Sequence, residues 1–175
     1  MPLPQLVLQI QTYTGAMSAT TPPVSAPRCS IARSLEVLGE KWSLLIVREA
    51  FWGRSRFSEF RENLGISSDI LTDRLGTLVD AGVFEKVAYR EASSRERFRY
   101  ELTDSGRALK PVLAALNSWG ERHRPSGFGA SALYREVATG EPVSLVFRAA
   151  DGTILPDDAV EVVRGPGASS TPQEL

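Results

Sequence analysis

The sequence predicts a mainly helical α+β fold that carries one small β hairpin. Two observations lead to this prediction. Apolar residues recur at helical spacing along residues 29–82 and again after Thr103. Between those stretches, in residues 83–102, apolar and charged residues alternate, as they do in strands. A chain of 175 residues is long enough for one such domain and a short appendage.

The composition is that of an ordinary globular protein, with 42% hydrophobic and 23% charged residues. No apolar run approaches the roughly 18 residues that cross a membrane, and the start of the chain lacks the basic segment of a signal peptide. We therefore expect a cytoplasmic protein with no membrane partner. Residues 1–28 are rich in Pro, Ser and Thr, which is typical of a disordered arm, and Met17 is an alternative start of translation.

The net charge of −1 hides an uneven distribution along the chain. Residues 28–125 carry 17 Lys and Arg against 14 Asp and Glu, a net charge of +3. Residues 126–175 carry 3 against 7, a net charge of −4. The central part is therefore mildly basic although the whole chain is not, and local charge patterns are more informative than the overall balance.

Two helices are predicted within residues 29–53, because Gly39 and Gly53 interrupt an apolar pattern. The second helix is apolar on nearly all sides and should be the central, buried helix of the domain. The residues that define it are Trp42, Leu44, Leu45, Ile46, Val47, Ala50 and Phe51.

The next two segments predict a helix-turn-helix, because only a few residues separate them. In the first, Ser58 is a candidate N-cap and Gly65 ends the helix. The second covers about residues 67–81 and begins with a capping serine, Ser67 or Ser68. Its buried face is formed by three leucines at helical spacing, Leu71, Leu75 and Leu78.

A two-stranded hairpin, the wing, is predicted for residues 83–102. One of its faces is apolar and includes Phe98, Tyr100 and Leu102. The other face is basic and includes Arg95, Arg97 and Arg99. Thr103 should then cap a long helix that Pro111 kinks or shifts in register. Three helices, a tight turn, a hairpin and a further helix together make a winged helix-turn-helix.

Residues 125–175 are predicted to form a β-rich appendage. Turn sequences separate four short candidate strands, and the final residues are expected to be disordered. The candidate strands are ALYREV, PVSLVFR, GTILP and AVEVV. The chain is thus predicted to have three parts: the arm at 1–28, the winged helix-turn-helix domain at 29–124 and the appendage at 125–175.

Four separated motifs make this chain resemble the HxlR family. They are C-x-x-A-R-S-L-x-V-L-G-x-K-W (29–42), G-x-x-R-F-S-E-F (53–60), I-S-S-x-I-L-T-D-R-L (66–75) and Y-x-L-T-x-x-G (100–106). HxlR proteins are bacterial winged helix-turn-helix transcription regulators that act as homodimers, and the resemblance covers about residues 29–122. It implies a homodimeric regulator, expected to be a repressor, that binds a specific double-stranded DNA sequence.

The helix over residues 67–81 is expected to enter the major groove, with its leucine face docked on the domain. The resemblance implies that six of its residues face DNA: Ser67, Ser68, Asp69, Thr72, Asp73 and Arg74. Simple capping and surface polarity remain open for the serines and the threonine. The aspartates could accept a hydrogen bond from cytosine, discourage nonspecific binding, or only be solvated.

The basic face of the wing is expected to contact the adjacent minor groove, whose negative potential attracts arginine. Arg95, Arg97 and Arg99 are the candidates, and Arg97 matches the wing arginine of HxlR relatives. Solvation of an exposed hairpin is the alternative. Lys41 and Arg56, at the starts of helices, are further candidate phosphate contacts.

A homodimer is also expected from apolar residues in excess of what one core needs. They are Ile31, Leu35 and Leu38 in the first helix and Leu109, Val112, Leu113, Leu116 and Trp119 in the last. Two-fold symmetry of the dimer predicts a pseudo-palindromic operator.

Cys29 lies where HxlR relatives often carry a cysteine, and some of them use it to sense oxidants or electrophiles. The alternative function is therefore a redox or small-molecule sensor, in which Cys29 or the dimer interface controls DNA binding. A small buried residue at the dimer interface is the simpler interpretation of Cys29.

Other classes of protein have little support in the sequence. With one His, one Cys and no glycine-rich phosphate loop, we expect no enzyme, no cofactor and no metal site. A winged-helix adaptor that binds only protein remains a third possibility, which steeply salt-dependent binding to duplex DNA would exclude.

Overall fold

The computed structural model describes residues 29–90, 97–166 and 168, so the predicted arm at 1–28 lies outside the described residues. These residues form two compact units that divide within the last long helix, between residues 113 and 114. The predicted domain boundary, after residue 124, lies just beyond the end of that helix at His123.

The first unit contains helices α1 (Ser30–Leu38), α2 (Lys41–Phe51), α3 (Phe57–Leu64) and α4 (Ser68–Asp80), strands β1 (Phe84–Tyr89) and β2 (Arg97–Leu102), helix α5 (Asp104–Arg107) and the start of α6 (Lys110–His123). Helix α2 packs against α1, α3, α4 and β2, so the prediction that it is the central helix is confirmed. The core around it comprises Ile46, Val47, Phe60, Ile66, Leu71, Leu75, Leu78, Val83 and Phe84.

One buried carboxylate fixes the connection between α2 and α3. Glu49 is 2% exposed and forms ion pairs with Arg48 at 2.7 Å and with Arg54 at 3.3 Å. Arg54 also donates to the side chain of Asn63 at 3.3 Å. A buried charge is stable only when it is paired. The pair with Arg54 joins the end of α2 to the segment before α3, and Arg54 in turn joins that segment to the end of α3.

The predicted helix-turn-helix is present as α3 and α4. Gly65 follows α3 with a φ of 61°, the left-handed conformation that glycine adopts without strain. Ser67 then caps α4, because its hydroxyl accepts a hydrogen bond from the N–H of Ile70 at 3.4 Å.

The predicted cap of α3 is wrong. Ser58 lies inside the helix, and Glu59 makes the capping contacts instead. Its carboxylate accepts hydrogen bonds from the backbone N–H groups of Ser55 and Arg56, both at 2.9 Å. A glutamate at the third helical position satisfies these N–H groups better than a serine one residue into the helix can.

The wing is an antiparallel hairpin in which Phe84 lies opposite Leu102, Val87 opposite Arg99 and Tyr89 opposite Arg97. A third backbone segment joins it, because the N–H of Tyr100 donates to the carbonyl oxygen of Ser55 at 2.7 Å and Arg56 forms a β-bridge with Arg99. The residues before α3 thus extend the sheet beyond β2. We did not expect this third segment.

The prediction of one long helix capped by Thr103 is wrong. Thr103 caps only the short α5, where its hydroxyl accepts from the N–H of Gly106 at 3.1 Å. Helix α6 starts separately at Lys110, which places Pro111 in its first turn. A proline is tolerated there because the first N–H groups of a helix have no partner in the helix, so Pro111 does not kink α6.

The second unit contains the rest of α6, strands β3 (Phe147–Arg148) and β4 (Ile154–Leu155), and a 3-10 turn (Asp157–Ala159). The two strands pair in an antiparallel hairpin, and an isolated bridge joins Arg135 to Pro142. The β character of the appendage is confirmed, but AVEVV is not a strand; Val162 there is 97% exposed, and no segment among the described residues pairs with it. Most of the predicted disordered end lies outside the described residues.

Candidate nucleic-acid interface

Helix α4 has one buried face and one exposed polar face. Leu71, Leu75 and Leu78 are at most 1% exposed and pack in the core. Ser67, Ser68, Asp69, Thr72 and Asp73 are all exposed on the first two turns. The helix therefore presents small polar and acidic side chains to solvent at the end where a recognition helix contacts base edges.

Local interactions occupy part of this polar face. The hydroxyl of Thr72 donates to the carbonyl oxygen of Ser68 at 2.8 Å, which leaves its lone pairs as acceptors. Asp73 forms an ion pair with the half-buried Arg74. Asp69 is exposed in the first turn, where the positive end of the helix dipole stabilises a carboxylate.

The exposed face of β2 carries arginines beside the acidic Glu101. Arg97 is exposed at the start of β2, as predicted. Arg99 is also exposed but forms an ion pair with Glu101 at 2.5 Å. Arg95 lies outside the described residues. Of the two arginines in β2, Arg99 is therefore paired with Glu101 and Arg97 is not.

The two cations predicted at helix starts both lie against aromatic rings. The ammonium of Lys41 is 4.4 Å from the centre of the Trp42 ring, at the start of α2. The guanidinium of Arg56 is 5.0 Å from the centre of the Tyr89 ring, across the wing. Both side chains belong to exposed residues. Stacking on a ring restricts such a side chain without neutralising its charge.

Two residues of this surface were missed from the sequence, Tyr89 and Glu59. The contact of Tyr89 with Arg56 depends on the register of the wing and on the third segment beside it. No periodicity within one element reveals such a contact. Glu59 could have been found, because a glutamate three residues after the end of an extended segment is a capping signal.

The predicted dimer residues fall into two groups. Leu38, Leu109 and Leu113 pack against the core of the same chain. The others are exposed: Ile31 (71%) and Leu35 (55%) in α1, and Val112, Leu116 and Trp119 in α6. The prediction of an interface with a second copy therefore rests on the five exposed side chains.

Cys29 directly precedes α1 and is exposed. In the described residues, no three His, Cys, Asp or Glu side chains are grouped closely enough to hold a metal ion. Over the same ranges, none of the helices is both long and apolar enough to cross a membrane.

Comparison with known proteins places this geometry in context. The HxlR-like helix-turn-helix family matches residues 37–127. The HTH-type transcriptional regulator Rv3095 of Mycobacterium tuberculosis is 42% identical over 112 residues, which cover 64% of this chain and 70% of the relative. The family match includes α2 to α4 and the wing, so the resemblance seen in the motifs is confirmed.

Solved structures agree with this assignment. PA1607, a candidate transcription factor, is 42% identical with a TM-score of 0.66, and the alignment covers 78% of this chain and 95% of PA1607. The redox regulator HypR in its reduced form is 30% identical with a TM-score of 0.50, over 55% of this chain and 94% of HypR. The fold is that of a winged helix-turn-helix transcription regulator, and the chain belongs to the HxlR-like family.

Proposed function

We propose that this protein is a homodimeric repressor that binds a specific double-stranded DNA sequence. The observation that carries the proposal is the exposed polar face of α4, which a fully buried leucine face holds in place. A helix of this kind presents hydrogen-bonding groups to the major groove, where each base pair has its own pattern of donors and acceptors. Such a regulator acts on the nucleoid, in the cytoplasm.

In this proposal the side chains divide into two roles. Ser67, Ser68, Asp69, Thr72, Asp73 and Arg74 line the major groove. Thr72 and Asp69 read base edges, because both are exposed near the start of the helix. Arg95, Arg97 and Arg99 of the wing, together with Lys41 and Arg56, contact phosphates or the minor groove and supply affinity that does not depend on sequence.

The homodimer is proposed from the exposed apolar residues of α1 and α6. Trp119 is 57% exposed and Leu116 is 49% exposed on the same helix. Large apolar side chains exposed together are typical of an interface. A two-fold dimer would bind a pseudo-palindromic operator with half-sites about 34 Å apart.

The proposal is tested by selecting duplexes from a random library with the full chain. We expect a consensus with two inverted half-sites, and a reporter placed behind that sequence should be less active when the protein is expressed. Enrichment of no sequence, or of a single asymmetric site, would contradict the proposal.

The two roles are separated by salt titrations on the selected duplex and on a scrambled one. Arg97→Ala should weaken binding to both and reduce the slope of log affinity against log salt by about 1. Thr72→Ala or Asp69→Ala should lose about 1–3 kcal/mol on the selected duplex and little on the scrambled one. Equal losses on both duplexes for the helix variants would show that α4 does not read the sequence.

A second candidate function is redox or electrophile sensing through Cys29. Its exposed position is the observation that favours it, and the similar HypR is named as a redox regulator. Cys29→Ser should bind the selected duplex normally and lose any response to diamide or a quinone. A response that persists in Cys29→Ser would assign sensing to another group, such as a ligand at the dimer interface.

A further inference from the structure

Gly76 lies inside the proposed recognition helix, where glycine is an unfavourable residue. Helix α4 covers Ser68–Asp80, so Gly76 has helical neighbours on both sides. Glycine in the interior of a helix is less stable than alanine, because it loses more backbone freedom on folding. A glycine at this position therefore calls for a physical reason.

The described part of the chain supplies no such reason. The φ of Gly76 is not positive, so its backbone conformation is one that any residue adopts inside a helix. Gly76 is half-buried, yet a Cβ there would meet no described atom within 4 Å apart from its neighbours and the backbone of its own helix. At Gly106, by contrast, a Cβ would lie 2.2 Å from the carbonyl oxygen of Val83. Packing among the described residues thus does not require glycine at position 76.

Gly76 lies on the polar face of α4 that is proposed to enter the major groove. It follows Thr72 by one turn and Asp69 by two turns, and residues at these spacings share a face of a helix. Both of those residues are exposed, whereas the three buried leucines form the other side of the helix. The space above Gly76 is therefore open toward the partner that this face would contact.

We propose that Gly76 is a specificity-determining residue, because its missing side chain lets α4 lie deep in the major groove. The inference rests on the proposed function and adds to it a requirement for close approach in the third turn of the helix. The proposed base-reading residues, Asp69 and Thr72, have short side chains. They reach base edges only if the helix axis lies close to the bases. Glycine permits such an approach of the backbone to a partner, and a larger residue at position 76 would hold the helix away.

Gly76→Ala and Gly76→Leu test the proposal in the full chain, on the selected duplex and on the scrambled one. Both changes improve helix propensity, so both variants should melt at a higher temperature than wild type. Affinity for the selected duplex should nevertheless fall, about fivefold for Gly76→Ala and further for Gly76→Leu, because the added atoms displace the helix from the groove. Affinity for the scrambled duplex should change by less than about twofold, because nonspecific binding depends on phosphate contacts.

Ser118→Ala is the control, since it also replaces a poorer helix former with alanine, but at an exposed position in α6. It should raise the melting temperature and leave both affinities unchanged. Wild-type affinity of either Gly76 variant for the selected duplex would overturn the proposal, and so would an equal loss on both duplexes. A lower melting temperature of Gly76→Ala would also overturn it, because glycine would then be needed within the fold itself. Failure to select any duplex would instead contradict the proposed function, so the two failures are distinguishable.

Discussion

Glu59 shows how a single carboxylate determines where a helix starts. It accepts two backbone hydrogen bonds at 2.9 Å, and the one from Arg56 contributes most to the lowering of its pKa. Because the pKa is lower in the folded state, this group stabilises the fold above the unfolded pKa. That contribution is lost as the pH falls through the folded pKa.

Glu59→Gln should therefore reduce the free energy of unfolding by about 1 kcal/mol at pH 7, since the amide accepts weaker hydrogen bonds than the carboxylate. Urea unfolding at a series of pH values should show the difference from wild type shrinking as the acid range is entered. Glu62→Gln, an exposed position on the same helix, is the control. A loss that is the same at all pH values would mean that the charge of Glu59 is not involved.

At the scale of elements, the junction between the wing and α5 depends on close contact. The hydroxyl of Thr103 donates to the carbonyl oxygen of Gly82 at 2.5 Å, and its N–H donates to that of Val83 at 3.1 Å. A Cβ on Gly106 would lie 2.2 Å from the same Val83 oxygen and 2.8 Å from Cδ2 of Leu102. Only glycine fits between these two groups.

Gly106→Ala should reduce the free energy of unfolding by about 1–3 kcal/mol, because α5 would have to move away from Val83, just before β1. Gly120→Ala is a matched control, because Gly120 lies inside α6 and a Cβ there would meet no described atom within 4 Å apart from its neighbours and the backbone of its own helix. That variant should gain about 0.5–1 kcal/mol from helix propensity. Thermal unfolding of both variants measures the contrast, and equal melting temperatures would refute the close packing.

For the whole molecule, the proposed dimer can be tested without DNA. Leu116→Glu places a charge among the exposed apolar residues of α6. Ser118→Glu places the same charge on the opposite side of that helix. Light scattering should give twice the chain mass of 19.1 kDa for wild type and for the serine variant. The leucine variant should be monomeric and bind the operator more weakly; a dimer that survives Leu116→Glu would move the interface elsewhere.

Much of the first unit could be predicted from sequence because its signals are local. The leucine spacing predicted a helix over residues 67–81, and α4 is Ser68–Asp80. The break between α5 and α6 was missed, although a proline favours the first turn of a new helix as well as a kink. The contact of Arg56 with Tyr89 could not be predicted, because it joins residues on separate elements whose register is set by tertiary packing.

The hydrogen bond from Tyr100 to Ser55 has a consequence for how DNA could be released. It joins the hairpin to the segment that leads into α3, and the ion pair of Glu49 with Arg54 joins that segment to α2. Helix α4 also packs against α2 and β1, so we expect the parts that would touch the two grooves to move together. In the proposed dimer, a signal would leave the DNA-binding domain of each subunit unchanged. It would change only the distance and angle between the two domains, so that one domain could bind its half-site while the other could not reach its own.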